Sequence, residues 1–596
     1  MNLFLSRNLY GPGGPPRLSR REPERDPSSA RTKPWERDRA TCSTVVVCNN
    51  YSFTGSLNYL PKEEQLANMA RDDSNPILAY HETTKHSEIS LRTSGHYLDW
   101  DNKPSPFKQY KNRPSTALSR QFPHPKEASL KTIKDNRSKP TKNPDLDTMA
   151  ELLFFSAGLT RKMRFGSQPY YMRAAPATGA LYPIEVYIIN GDIPQLNAGV
   201  YHYNPLDFSL VHLREGDYRS QLSAKSHEAV SSSPVTFALT SLAWRNAWKY
   251  EARSYRHWFW DGGVIAANLL ATCISEKIWV KLIMGFVDSE VNNLLGLEKH
   301  QEAPICMAAI GTGLGTNARS VRQEIPALHP DVEPLSRDQT DYPIMWEANK
   351  ASELPSADSV KAWQQGYKPR ISKLSHSNAT FQLRPLKPED SPSLEQTILR
   401  RGSTRRFAQQ AITFEALSTI VDAAATRVPL DFLPEGETLT DFYLIANDVQ
   451  GLPSGSYFFN PGTKSLEQLK TGRLRHMSGY LCLDQPLFSD ASVVFFLMAD
   501  LPHTLACLGP RGYCAAQFEA GVHAGKIYLS SYSVGVGASG STFYDDAVTE
   551  FFSPHAKDKS PMIAVGVGVP SYKARPGRIL PQFRPSLRPV ILTGKR

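Results

Sequence analysis

The chain has 596 residues, 40% of them hydrophobic, 10% aromatic and 21% charged, a globular composition and too much chain for one ordinary domain. Its most apolar run, Ala491 to Met498, is far short of the roughly 18 residues a membrane span needs, and seven cysteines without a C-x-x-C pair exclude a disulfide scaffold and argue against a zinc ribbon. The net charge of +10 sits in 1–40 (nine Lys/Arg, five Asp/Glu) and 101–142 (eleven against three), so it marks Pro-rich loops and tails rather than a nucleic-acid-binding face.

In chain order, residues 1–70 are a Pro/Arg-rich extension with no periodic apolar face, expected to be disordered. A first domain is expected over 80–315, an irregular Pro-rich linker over 316–390 with one short helix around Ser356–Gln365, and a second domain over 391–580. Each domain reads in the same order. An amphipathic helix (Met149–Leu159; Phe414–Ala425) leads into a strand and a hairpin (Ile184–Leu213; Phe442–Leu469). An apolar strand follows (Val235–Thr240; Val493–Ala499), then a long helix rich in small residues (Tyr255–Ser275; Tyr513–Ser533) and a last apolar strand (Pro304–Ile310; Met562–Val567).

The common order reflects an internal repeat. Arg253-Ser-Tyr-Arg-His-Trp-Phe-Trp-Asp261-Gly-Gly263 reads against Arg511-Gly-Tyr-Cys-Ala-Ala-Gln-Phe-Glu519-Ala-Gly521 at an offset of 258. Gly199-Val-Tyr-His-Tyr-Asn-Pro205 reads against Gly455-Ser-Tyr-Phe-Phe-Asn-Pro461, and Val186-Tyr-Ile-Ile-Asn190 against Phe442-Tyr-Leu-Ile-Ala-Asn447. Short hairpin connections exclude a purely parallel sheet. The expected fold class is α+β: two tandem domains, each a mostly antiparallel sheet flanked by helices. A fused pair of this kind forms an intrachain pseudo-dimer, monomeric as a chain, with its sites between the halves.

Two basic segments carry the first functional signal. Arg400-Arg401-Gly402-Ser403-Thr404-Arg405-Arg406 places guanidinium forks around small hydroxyls, a chemistry suited to a terminal phosphate. Lys573-Ala-Arg575 follows the last strand. From charge alone these read as two unrelated basic surface segments. In combination they resemble the FMN-dependent nitroreductase superfamily, whose phosphate grip has this Arg-x-Ser-x-Arg and Lys-x-Arg pattern. The stretch 511–546 is similar to that family's long central helix and glycine-containing turn. The first half resembles a narrower branch, the SagB/ThcOx-type azoline dehydrogenases, through His81-Glu-Thr-Thr-Lys85, Arg173-Ala-Ala-Pro-Ala-Thr-Gly-Ala-Leu-Tyr-Pro183 and Trp248-Lys249-Tyr250-Glu-Ala-Arg253-Ser-Tyr255.

The resemblance implies a set of site residues. FMN phosphate would be held by Arg401, Ser403, Arg405, Lys573 and Arg575. The loop Pro176, Ala177, Thr178 and Gly179 would reach the flavin ring from the other half. Glu519, Ala520 and Gly521 would bring backbone amides near the flavin N5 and O4. Lys249 and Tyr250 would be the catalytic pair assisting proton removal; Cys507-Leu508 stands at their place in the second half. His81–Lys85 reads as the first half's degenerate phosphate segment, and Val428-Pro-Leu-Asp431 as the second half's degenerate loop. These complementary losses imply one FMN per chain. The histidines form no metal-ligand pattern, so no metal is expected. The implied activity is oxidation of an azoline-like heterocycle in a peptide or small molecule, possible modification-pathway proteins being the partners, in the cytoplasm and without membrane or nucleic acid. Two alternatives stay open: an NAD(P)H-dependent nitro or quinone reductase, and a non-catalytic flavin-binding scaffold.

Overall fold

A computed structural model describes residues 75–134, 141–165, 168–312, 325–370 and 379–578; the extension expected to be disordered lies outside them. Helix α1 (Pro76–Thr83) starts on a proline, which loses nothing at a helix N-terminus. Strand β1 (Ser115–Ala117) and helix α2 (Ser129–Lys134) follow. Helix α3 (Leu146–Ala157) is capped by Asp145, whose carboxylate accepts the Thr148 amide at 2.8 Å. The hairpin β2 (Leu159–Phe165) and β3 (Gln168–Arg173) leads to β4 (Ile184–Asn190), β5 (Gly199–Asn204), β6 (Ser209–Glu215) and β7 (Val235–Leu242). Helices α4 (Ala243–Tyr250) and α5 (Ser254–Ser275), then β8 (Val280–Ile283) and β9 (Glu302–Ile310), complete the first half.

Between the halves lie α6 (Pro343–Ser352) and α7 (Ala357–Gln364). The second matches the single expected helix. The first is additional: its leading proline reads as a break in sequence but occupies the first helical turn. The second half includes β10 (Thr380–Gln382), α8 (Leu394–Arg400), β11 (Ile412–Thr413), α9 (Phe414–Ala424), β12 (Thr440–Ala446), β13 (Val449–Gln450), β14 (Gly455–Asn460), β15 (Ser465–Thr471) and β16 (Val493–Asp500). It ends with α10 (Leu501–Ser533), β17 (Gly537–Ser541) and β18 (Lys559–Gly568). Helix α10 begins twelve residues before the expected start, and the left-handed Gly509 with Pro510 marks a kink there.

The two main sheets have the same topology. Their orders are β1-β6-β5-β4-β7-β9-β8 and β10-β15-β14-β12-β16-β18-β17, all neighbours antiparallel. This is the expected α+β class with two equivalent halves. Strands β4, β5, β7 and β9 are buried along their whole length, which is why they read as apolar runs. The edge strands β8 and β17 escaped the sequence reading; Gly537-Ala-Ser-Gly-Ser541 has turn composition.

The halves meet along α5 and α10. Glycines set the distance. A Cβ on Gly263 would lie 2.5 Å from the Phe518 carbonyl oxygen, one on Gly521 2.7 Å from that of Trp260, and one on Gly525 2.5 Å from the Ala267 methyl. Ion pairs repeat across the boundary: Arg253 and Arg256 with Asp545 at 2.9 and 2.7 Å, and Arg511 with Asp288 at 2.7 Å. No helix among the described residues is long and apolar enough to cross a membrane.

Candidate active site at the boundary of the halves

The segment after α8 runs along the edge strand β17. The Thr404 amide donates to the Ala538 carbonyl at 2.8 Å. Thr404 Oγ1 lies 3.3 Å from the Tyr532 hydroxyl, and Ser403 Oγ 3.4 Å from that of Tyr528. The Gly540 amide donates to Tyr528 at 2.5 Å. A Cβ on Gly537 would meet Thr404 Oγ1 at 2.1 Å, so glycine is required for this approach.

Arg401 crosses to the first half. Its Nε donates to the Ala174 carbonyl at 2.8 Å and its Nη2 to that of Arg173 at 3.0 Å; burial lowers its pKa. Those carbonyls open the Pro176–Gly179 loop. The C-terminal segment crosses in the same way. Arg161 donates to the Arg575 carbonyl, the Arg578 amide donates to the Thr160 carbonyl at 2.8 Å, and Tyr572 accepts the Arg405 amide at 3.0 Å. Arg405 and Lys573 are exposed and make no ion pair with any described residue. Arg401, Ser403 and Arg405, the segment of Lys573 and Arg575, and the loop from Pro176 thus come together from both halves. An uncompensated set of guanidinium and ammonium donors fits an anion such as a phosphate monoester.

The loop is held by Asp261 of α5. Its Oδ1 accepts both the Thr178 amide and the Thr178 hydroxyl at 2.8 Å, and its Oδ2 accepts Asn246 Nδ2 at 3.3 Å. Burial pushes its carboxyl up to about 7. Asn246 lies on α4, the helix that ends in Lys249 and Tyr250. One carboxyl therefore ties the loop to the helix of the candidate pair. Pro176 and Ala177 line a small cleft with Ala175, Tyr182, Asp261 and Ile265. Gly179 has φ +61, and a Cβ there would lie 2.7 Å from the Tyr250 hydroxyl.

Lys249 Nζ lies 5.3 Å from the centre of the Tyr250 ring. Burial, with help from Arg405 and Lys103, lowers it to about 8. Burial raises the Tyr250 hydroxyl, and Arg405 opposes that shift. Gly179 lies against the Tyr250 hydroxyl and Arg401 bonds the Ala174 carbonyl that opens the same loop, which puts the pair on the side of the Arg401–Arg405 segment. Sequence alone left that side open.

Glu519, Ala520 and Gly521 are not brought to this site. They lie inside α10, fully buried, where helical amides bond within the helix. The Glu519 carboxylate accepts the Leu439 and Thr440 amides and the Thr440 hydroxyl, each at 2.8 Å. Gly521 serves the crossing with α5. The resemblance implied backbone amides of this segment at the flavin; in the fold they lie within the helix, and its small residues serve helix packing.

His81–Lys85 is also displaced from its expected place. The counterpart of α8, directly before the amphipathic helix, is α2, and the stretch after it, 135–140, lies outside the described residues. In sequence that stretch contains Arg137, Ser138 and Lys139, so the first half has not lost these residue types. His81–Lys85 instead ends α1 beside Asp545: the His86 amide donates to Asp545 at 2.8 Å, and Lys85 pairs with Asp546 at 2.9 Å. Tyr528, Tyr532, Asn246 and the role of Asp261 were missed. The i, i+4 spacing of the two tyrosines was the available signal for those; the others depend on tertiary contacts.

A repeated α+β fold with its candidate site between the repeats defines the class. The nitroreductase family model matches residues 135–312 and again 398–569, and the chain belongs to the nitroreductase family. Its solved relatives include a nitroreductase-like chain of Anabaena variabilis, 25% identical with TM-score 0.64, covering 83% of this chain and 99% of that one. Among curated relatives, the nitroreductase-type protein MJ1384 of Methanocaldococcus jannaschii is 28% identical over 163 residues (26% of this chain, 82% of the relative). The microcin B17-processing protein McbC of Escherichia coli is 29% identical over 149 residues (23% and 54%). The trifolitoxin-processing protein TfxB of Rhizobium leguminosarum bv. trifolii is 33% identical over 153 residues (23% and 40%).

Proposed function

We propose that this chain is an FMN-dependent oxidoreductase of the SagB/ThcOx type that oxidises an azoline-like heterocycle in a peptide. The observation that carries the reading is the convergence of the Arg401–Arg405 segment, the Asp261-held Thr178 loop and the Lys249–Tyr250 pair at one boundary. The similarity to a microcin B17-processing and a trifolitoxin-processing protein supports the peptide substrate. The donor set fits FMN: Arg401, Ser403, Arg405, Lys573 and Arg575 would hold the phosphate, and Pro176–Gly179 would line the ring. Bound there, FMN would supply the two-electron acceptor for ring oxidation.

The chain's own residues handle the proton. Lys249, partly desolvated and next to Arg405, is held at about 8, so an appreciable fraction is neutral amine near neutral pH and can take a proton from the substrate ring carbon. Tyr250, its hydroxyl against Gly179, fixes that side of the pocket. Purified protein is expected to be yellow, with one non-covalent FMN per chain, and to aromatise a thiazoline- or oxazoline-containing peptide. Rapid bleaching by NAD(P)H with no azoline turnover would establish the reductase reading; a colourless chain that fails to take up added FMN would defeat both.

A further inference from the structure

The repeat places a second site on the opposite side of the boundary, and its walls can be compared with those of the first. By sheet register Leu282 in β8 corresponds to Gly540 in β17: Leu282 pairs with Ala308, Gly540 with Val565. Aligned on the aromatic and acidic residues that come next, the turn leaving β8, Met284–Gly285, corresponds to Ser541–Thr542 at the end of β17, the second half being one residue shorter here. Each is followed by a phenylalanine and an aspartate, Phe286 and Asp288 in one half and Phe543 and Asp545 in the other. Each aspartate takes the arginine of the opposite half.

The two edges meet different partners. The β17 edge faces Tyr528 and the Arg401–Thr404 segment. The β8 edge is covered by the second half's own loop. The Leu282 amide donates to the Pro429 carbonyl at 2.9 Å, and Leu282 and Leu430 form a parallel bridge. Asp431 then accepts the Met284 amide on Oδ1 at 2.9 Å and the Gly285 amide on Oδ2 at 3.0 Å. Gln364 of α7 donates to Oδ2 at 2.8 Å. A Cβ on Gly285 would lie 2.9 Å from that oxygen. Two adjacent amides gripping one carboxylate form a built acceptor site, and the chain has filled it.

The linker seals what remains. Trp363 of α7 donates to the Leu508 carbonyl at 3.0 Å, so α7 lies over Cys507–Leu508, the counterparts of Lys249–Tyr250. The Leu354 amide donates to Asp288 at 2.8 Å. The residual space is a small cavity lined by Met284, Asp288, Ser352, Arg511 and Cys514, among others.

We infer that the second, symmetry-related site is self-occupied: Val428–Asp431 takes the place of a ligand, with the Asp431 carboxylate on the Met284 and Gly285 amides. Loss of the polar loop is then one side of a replacement, because the same four residues that no longer line this pocket fill it. The inference deepens the proposed function, resting on it for the ligand of the open site, and it gives the single-flavin stoichiometry a mechanical cause.

Amide hydrogen exchange on the full chain, without and with added FMN, tests it. Residues 282–285 should exchange slowly in both states with protection unchanged, while 541–542 should gain protection by about tenfold or more on FMN addition, the scale of one hydrogen bond. Bound FMN should saturate at one per chain. Asp431→Ala should speed exchange at Met284 and Gly285 by about tenfold or more and leave 541–542 unaltered. A rise in protection at 282–285 on FMN addition, two FMN per chain, or an Asp431→Ala variant with unaltered exchange at 284–285 overturns the inference. No FMN-induced gain in protection at 541–542 and no bound FMN would instead sink the flavin reading. The wild-type protection at 282–285 and the Asp431→Ala arm would still decide the plug.

Discussion

Arg253 of the first half meets Asp545 of the second at 2.9 Å, both almost fully buried. Arg256 reaches the same carboxylate at 2.7 Å. Asp545 thus pairs with two guanidinium groups at once, which hold it below the usual carboxylate range against the upward push of burial. Breaking such a pair leaves unpaired buried charge. Asp545→Ala should destabilise the chain by about 3–5 kcal/mol, read by denaturant unfolding. A loss within experimental error would show that water reaches the arginines.

Arg405 and Arg401 should differ in a way that separates binding from architecture. Arg405→Ala should weaken FMN binding by roughly 10- to 100-fold, the worth of a charged hydrogen bond, with little change in the melting temperature of the flavin-free protein. Arg401→Ala should weaken FMN comparably and also lower that melting temperature, because its guanidinium holds the Arg173 and Ala174 carbonyls. Titration by flavin fluorescence and a melting curve of each variant decide this.

Lys249 acts as a base only when neutral. With the group at about 8, substrate oxidation should rise with pH and level off above about 8. Lys249→Ala should remove that limb and cut turnover by roughly 10²-fold or more, leaving bound FMN in place. A variant with full turnover would end the azoline mechanism.

Asp261 gives a pH signature of its own. Its folded-state pKa is raised to about 7 by burial, above the unfolded value. Its contribution to stability is therefore complete below the ordinary carboxylate range and lost as pH rises through about 7. Asp261→Asn has no such loss. The stability of the variant relative to wild type should improve steadily from about pH 4 to about pH 8. A pH-independent difference would mean that the carboxyl titrates normally.

Gly521→Ala tests the reassignment of the 519–521 segment. The new Cβ meets the Trp260 backbone, so about 1–3 kcal/mol of stability should be lost to overpacking, while FMN affinity per folded molecule stays unchanged. Loss of affinity without loss of stability would restore the cofactor role.

The repeat, the fold class and the candidate pair were legible in sequence because their signals are local. Strands buried on both faces are apolar runs, and Lys249-Tyr250 are adjacent. What was not legible depends on pairing at a distance. Asp261 marked only a register until Thr178 and Asn246 were seen to bond it. Gly537–Ser541 has no apolar rhythm, so a strand at the centre of the site looked like a turn. Glu519–Gly521 carried small residues that suit either a close ligand or a close helix, and only the neighbouring Trp260 distinguishes them. The segment 135–140 was passed over because His81–Lys85 offered a more familiar pattern upstream.

The glycine crossing of α5 and α10 has a mechanical consequence. Helix α5 carries Asp261, which fixes the Thr178 loop and, through Asn246, the helix of Lys249. Helix α10 carries Tyr528 and Tyr532, against which Ser403 and Thr404 rest. The jaws of the pocket are therefore mounted on two rods that approach backbone to backbone at Gly263, Gly521 and Gly525 and are pinned by the Trp260–Gln517 hydrogen bond beside that crossing. The spacing of the jaws is thereby set by backbone contact, like the opening of a fixed caliper.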